Sequence, residues 1–179
     1  MPHRQTVPTI ETIEGQSVLF SSLWQNQAVF ITWLRHYGWM FCREQAAQLK
    51  SIYPTLVDLD IGVVAIGNGT HLMAQDFVEQ FAIPYPVYTD EKRATYDLMN
   101  MHRGFGIGLG TLKAGLALSK KGTKQGSNQG DIWQQGGEAL FAKGGALLWK
   151  HSNTTAEQHS TPAEILAMIN QQKANLSGD

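Results

Sequence analysis

Cysteine is almost missing from this chain: of its 179 residues only Cys42 carries a thiol. One cysteine cannot close an internal disulfide, so nothing in the sequence demands an oxidising compartment. The six histidines are dispersed without His-x-x-x-His spacing, and with a single thiol they offer no zinc ligand set, so no metal is expected. An excess of one charge is missing too. Fourteen Lys and Arg face 15 Asp and Glu, which leaves neither a basic footprint for nucleic acid nor a basic block for an anionic membrane surface. No apolar run approaches the roughly 20 residues that span a bilayer. Met1 to Gln16 is polar, holds two prolines and lacks the apolar core of a secretion signal, so the expectation is a soluble, cytoplasmic protein. The Asn-x-Ser/Thr sequences at Asn68, Asn153 and Asn175 then read as chance matches. No Gly-x-Ser-x-Gly elbow is present. The glycines at 104, 106, 108 and 110 recur every second residue and miss the Gly-x-Gly-x-x-Gly spacing of a dinucleotide loop, so no cofactor is expected.

What remains suffices for a core, since 42% of the residues are hydrophobic and fall in periodic runs separated by turn clusters. The length fits one α/β domain over residues 17–175 behind an irregular N-terminal arm, residues 1–16. Ala28-Val-Phe-Ile-Thr-Trp-Leu-Arg35 is nearly all apolar and rich in β-branched and aromatic residues, the pattern of a central strand covered on both faces. It ends at His36-Tyr37-Gly38. Strong helix formers run from Phe41 to about Ile52, with Pro54 as the expected helix exit. Gly62 to Gly67 reads as a second buried strand, Leu72 to Phe81 as an amphipathic helix, and Tyr85 to Tyr88 as a short strand. Asp90 is placed to cap a helix carrying Ala94, Leu98 and Met99.

Beyond the glycines of 104–110 an apolar segment reaches Leu118 and reads as a helix, followed by a polar, Gly-rich loop from Lys120 to Gly130. Glu138–Ala142 and Ala146–Lys150 flank a Gly144-Gly145 pair and predict a hairpin. Thr161-Pro-Ala-Glu164 predicts a helix start with proline at its first position. Strands alternating with helices, then a hairpin and a closing helix, give a thioredoxin-like order: a central mixed sheet, its consecutive strands parallel, with flanking helices.

Cys42 falls in the first turn of a helix, where unpaired backbone N–H groups and the positive end of the helix dipole favour a thiolate. Arg35 and His36 end the preceding strand and Arg43 adjoins the cysteine, so each can stabilise the thiolate or polarise a bound oxygen. Adjacent helical residues point apart, which ranks Arg35 above Arg43. Trp39 reads as packing, or as a lid that limits access to the thiol, and His36 as a turn histidine.

The segment Phe30-Ile-Thr-Trp-Leu-Arg-His-Tyr-Gly-Trp-Met-Phe-Cys-Arg-Glu44 resembles the peroxiredoxin-like 2 group of the alkyl-hydroperoxide-reductase and thiol-specific-antioxidant branch. The likeness continues at Tyr88-Thr-Asp-Glu, at Met101-His-Arg-Gly104, through Gln129 to Gly137, and in the hairpin and final helix. In that group an Arg-His pair leads into Cys-x-x-Cys. Here Trp39 stands in place of the first cysteine, and the proline and threonine of the ordinary peroxiredoxin motif are replaced by Arg35 and Trp39.

The resemblance implies reduction of hydrogen peroxide or an organic hydroperoxide through Cys42. With no second cysteine to resolve a sulfenic acid, glutathione, a thioredoxin-like protein or a second subunit must complete the cycle. Members of the group are associated with reducing lipid endoperoxides, so a bulkier substrate stays open, as does a homodimer. Loss of the first cysteine motivates another reading, a redox-inactive thioredoxin-fold binding or assembly module with 104–130 as its contact loop, and a third is a sensor or glutathionylated regulator that uses Cys42 without turnover.

Overall fold

The structure is a computed structural model that describes residues 7–38, 40–104, 109–120, 130–155 and 158–178. Seven strands form one sheet: β1 (Thr9–Thr12), β2 (Ser17–Leu19), β3 (Ala28–Trp33), β4 (Ile61–Gly67), β5 (Val87–Thr89), β6 (Gly137–Phe141) and β7 (Leu147–Ser152). Their order across the sheet is β2-β1-β5-β4-β3-β6-β7. The helices of the described residues are α1 (Met40–Asp58), α2 (His71–Phe81), α3 (Ala94–Leu98), α4 (Leu109–Lys120) and α5 (Pro162–Gln172). The thioredoxin-like expectation of a mixed sheet with flanking helices holds: β3, β4 and β5 are parallel, while β6 pairs antiparallel with β3.

β3 is central and buried along its whole length. Its alternation divides the core. Phe30 and Leu34 enter one layer with Leu49, Leu56, Phe77 and Ile165 from α1, α2 and α5, whereas Val29, Ile31 and Trp33 enter the opposite layer with Phe20, Tyr96 and Met99. A continuous apolar strand is therefore two interleaved faces, each filling its own core.

The sequence reading needs two corrections. The N-terminal arm is not irregular throughout: Thr9–Thr12 pairs with β2 and, through Glu11 and Thr12, with β5. Ile10, 1% exposed, anchors it. A short ladder against an existing edge needs few apolar residues of its own, which is why composition concealed it.

Pro54 does not end α1, which continues to Asp58. Ile52 and Leu56 sit on the buried face on either side of it, and Pro54 itself is exposed, so the carbonyl that loses its partner faces water. Packing of Leu56 outweighs the missing bond. Pro54→Ala restores that bond and is expected to stabilise the chain by about 1 kcal/mol in urea denaturation, after the greater freedom of the unfolded alanine chain is deducted.

The remaining elements follow their local signals. Asp90 accepts bonds from Ala94 N–H and Thr95 N–H at 3.1 and 2.7 Å, tying down the start of α3. Thr161 and Glu164 close the capping box of α5. Gly144 and Gly145 take positive φ values of 88° and 102°, which makes the β6–β7 turn a glycine turn. Within the Gly-rich region, α4 is described, whereas 105–108 and 121–129 lie outside the described residues, as does Trp39.

Candidate active site

Because β3, β4 and β5 are parallel, their carboxyl ends open at one edge of the sheet, and the loops leaving them meet there. Leu34–Gly38 follows β3, Asn68 follows β4 and Asp90 follows β5. Cys42 enters the same edge from the first turn of α1. It is 3% exposed, and the Arg35 backbone N–H donates to its Sγ at 3.2 Å. The His36 backbone N–H also bonds to the thiol.

The expected ionisation of Cys42 is not what this enclosure favours. Burial pushes the thiol up to about 11, against the opposing pull of the two backbone N–H groups and the charges of Arg35 and Arg43. In this closed arrangement Cys42 is a protonated thiol.

Arg35 is 4% exposed and is the hub of the edge. Its backbone N–H serves Cys42, its guanidinium donates through Nε and Nη2 to Ile132 O at 3.0 and 2.5 Å, and its own carbonyl accepts from Asn68 Nδ2 at 2.5 Å. Burial lowers its affinity for the proton, and the neighbouring thiol acts in the opposite direction. Arg43 lies with its guanidinium carbon 5.1 Å from the Phe81 ring centre and still places positive charge near the sulfur. Arg35 is thus the better placed of the two. The role expected of Trp39 lies outside the described residues.

His36, expected as a turn histidine, lies in the segment after β3 and is wholly enclosed. Burial first, then the charges of Arg35 and Arg43, lower it to about 4, so it is neutral at pH 7. A buried neutral histidine gains a proton only on unfolding between its folded and ordinary values. Its contribution to stability is therefore complete above pH 6.5 and lost as pH falls toward 4, by about 3 kcal/mol at most. Urea midpoints at pH 7.5 and 4.5 should show that loss in the parent protein and a flatter dependence in His36→Gln.

The sequence singles out neither Asn68 nor Asp131 for the site, and Asn68 reads there only as a chance glycosylation match. Asn68 is 3% exposed. Its Oδ1 accepts from Asp131 N–H at 2.7 Å and its Nδ2 also reaches Asp131 O at 3.2 Å, clamping residues 130–132 against Arg35. Gly130 has φ +124°, and a Cβ there would fall 2.0 Å from Asn68 Oδ1, so only glycine admits the clamp. The Asp131 carboxylate pairs with Arg93 and with Arg103, the latter at 2.9 Å. Gly130 and Asp131 were visible in the sequence only as part of the Gln129-to-Gly137 resemblance.

No group of three or more His, Cys, Asp or Glu that could hold a metal occurs among the described residues. None of the described helices is long and apolar enough to cross a membrane.

Residues 48–155 match the family model described as AhpC/TSA antioxidant enzyme, a match that begins after Cys42. A prostamide/prostaglandin F synthase of Salmo salar is 28% identical over 93% of this chain and 86% of its own length. Peroxiredoxin-like 2A of Danio rerio is 30% identical over 79% of this chain and 68% of its own. The peroxidoxin BcpB of Mycobacterium tuberculosis superposes with a TM-score of 0.67, at 12% identity, over 94% of this chain and 92% of that one, a likeness of fold. The chain belongs to the AhpC/TSA antioxidant enzyme family, as a peroxiredoxin-like member of the thioredoxin superfamily.

Proposed function

We propose that this protein is a one-cysteine, thiol-dependent peroxidase that reduces hydrogen peroxide or an organic hydroperoxide at Cys42. The observation that carries the reading is the backbone N–H of Arg35 directed at Sγ at 3.2 Å, beside a buried guanidinium. Such a donor stabilises negative charge on sulfur more than it stabilises the neutral thiol. The raised proton affinity of the closed site comes first from burial. When water and peroxide are admitted to the sulfur, that cost falls away and the N–H donors and two arginine charges remain.

The thiolate attacks one oxygen of ROOH, and the O–O bond breaks. The alkoxide leaves as ROH after taking a proton, and the sulfur becomes a sulfenic acid. An external thiol, either glutathione or a thioredoxin-like protein, then forms a mixed disulfide with release of water, and a second thiol returns Cys42 to its starting state. The sum is ROOH plus two thiols giving ROH, water and one disulfide. In this reading Arg35 holds the peroxide oxygens, Arg43 adds positive charge, and the cytoplasm supplies the reductant.

Stopped-flow mixing of the purified protein with hydrogen peroxide or cumene hydroperoxide, with trapping of the sulfenic acid, tests this. Oxidation well above the rate of free cysteine, with the trap on residue 42, is expected. A rate no faster than that of the free amino acid defeats it.

A further inference from the structure

Each backbone N–H that faces Cys42 belongs to a peptide unit whose carbonyl is gripped from the other side. In a trans peptide the C=O and N–H point in opposite directions, so a bond on the carbonyl fixes where the N–H aims. Both units here are trans.

The Arg35 N–H shares its peptide with Leu34 O, and the Tyr96 hydroxyl lies 2.7 Å from that oxygen. The His36 N–H shares its peptide with Arg35 O, and Asn68 Nδ2 lies 2.5 Å from it. Tyr96 and Asn68 are 0% and 3% exposed, come from α3 and the end of β4, and reach the turn from behind. Each is itself held. Asn68 is tied to Asp131, while α3 is fixed by Asp90, whose carboxylate binds Thr95 beside Tyr96. Burial keeps the Tyr96 hydroxyl protonated and hence a donor.

We propose that Tyr96 and Asn68 are positioning residues that lock the Leu34–Arg35 and Arg35–His36 peptides into a two-donor cradle for the Cys42 thiolate. The inference rests on Cys42 being the reactive thiol. Neither residue acts on the sulfur directly; each acts through the peptide it grips. Donors fixed before the charge develops need no reorganisation, which is how a backbone cradle lowers the free energy of an anion.

The test is the pH profile of Cys42 alkylation by iodoacetamide between pH 7 and 10 in the full-length protein, with three variants. Tyr96→Phe removes the hydroxyl behind Leu34 O, which also lies 3.0 Å from Ile66 O, and Asn68→Ser shortens the amide away from Arg35 O and from its bonds to Asp131. Each is expected to slow alkylation by about tenfold at every pH in that range, the effect of losing one hydrogen bond to a charged group. Tyr85→Phe is the control. It deletes a comparably buried hydroxyl, bonded to Ala46 O at 3.1 Å, and should leave the rate within about twofold.

A merely structural role for Tyr96 or Asn68 has the opposite sign, because loosening the fold exposes the buried thiol and speeds its alkylation. Either variant reacting at or above the parent rate overturns the proposal, as does equal slowing by Tyr85→Phe. The profile needs no peroxide turnover, so a parent protein inert to peroxide defeats the peroxidase while the three variants still decide the cradle.

Discussion

Cys42→Ser is expected to abolish peroxide consumption with any thiol reductant and to leave no sulfenic acid for a trap to find. The reason is arithmetic as well as chemical: the chain has one sulfur that can form the intermediate through its thiol, and a serine hydroxyl has no comparable two-electron oxidation. Methionine oxidation is the competing sink, since the chain holds six methionines, so the trap and not peroxide loss alone is the measurement. The substitution keeps the small buried volume at position 42 and leaves the Arg35 N–H an oxygen to bond in place of sulfur. The urea midpoint should therefore stay close to that of the parent, and lost chemistry can be told from lost fold. Residual sulfenic acid in Cys42→Ser would mean that the trapped signal arises elsewhere and that Cys42 is not the peroxidatic group.

The largest stability effect is expected at Trp33. It is fully buried at the end of β3, packs its ring 6.0 Å from that of Phe20, and donates through Nε1 to Thr95 Oγ1 at 3.0 Å. Thr95 in turn donates to Asp90 at 2.6 Å, so the tryptophan joins the sheet to the anchor of α3. Trp33→Ala removes the largest side chain of that core layer and leaves a cavity between two fixed elements. A loss of about 4 kcal/mol is expected, lowering the thermal midpoint by roughly 10 °C. Trp33→Phe retains most of the packing and loses the donor to Thr95, for a cost of about 1 to 2 kcal/mol. Thermal and urea unfolding of the two variants measure both terms. If Trp33→Ala cost no more than Trp33→Phe, the site would be held by the hydrogen bond and not by packing.

Trp33 also shows what was legible beforehand. A run of eight residues with one threonine and one arginine among apolar neighbours signals a buried strand whatever surrounds it, because both faces must be covered. Turn and cap chemistry was equally local: Gly144-Gly145, Thr161 with Glu164, and Asp90 before α3 act through atoms a few residues apart. Pro54 marks the limit of that logic. Proline opposes a helix locally, yet the burial of Leu56 two residues on decides the outcome, and burial depends on what packs there.

By itself, the sequence determined the alternation of strands and helices, the two-faced central strand, and the placing of the single thiol at a helix start beside Arg35 and His36. Each of these follows from interactions between near neighbours in the chain or from side-chain periodicity. Tertiary structure alone decided how those residues behave. Enclosure raises the thiol and makes His36 neutral, and it turns Arg35 toward Ile132 O, 97 residues away in the chain. Asn68 and Tyr96 grip the turn from 33 and 62 residues away. Burial and long-range bonds come into being only when the parallel strands bring their ends to one edge, so the position of Cys42 could be read from the chain and the state of its proton could not.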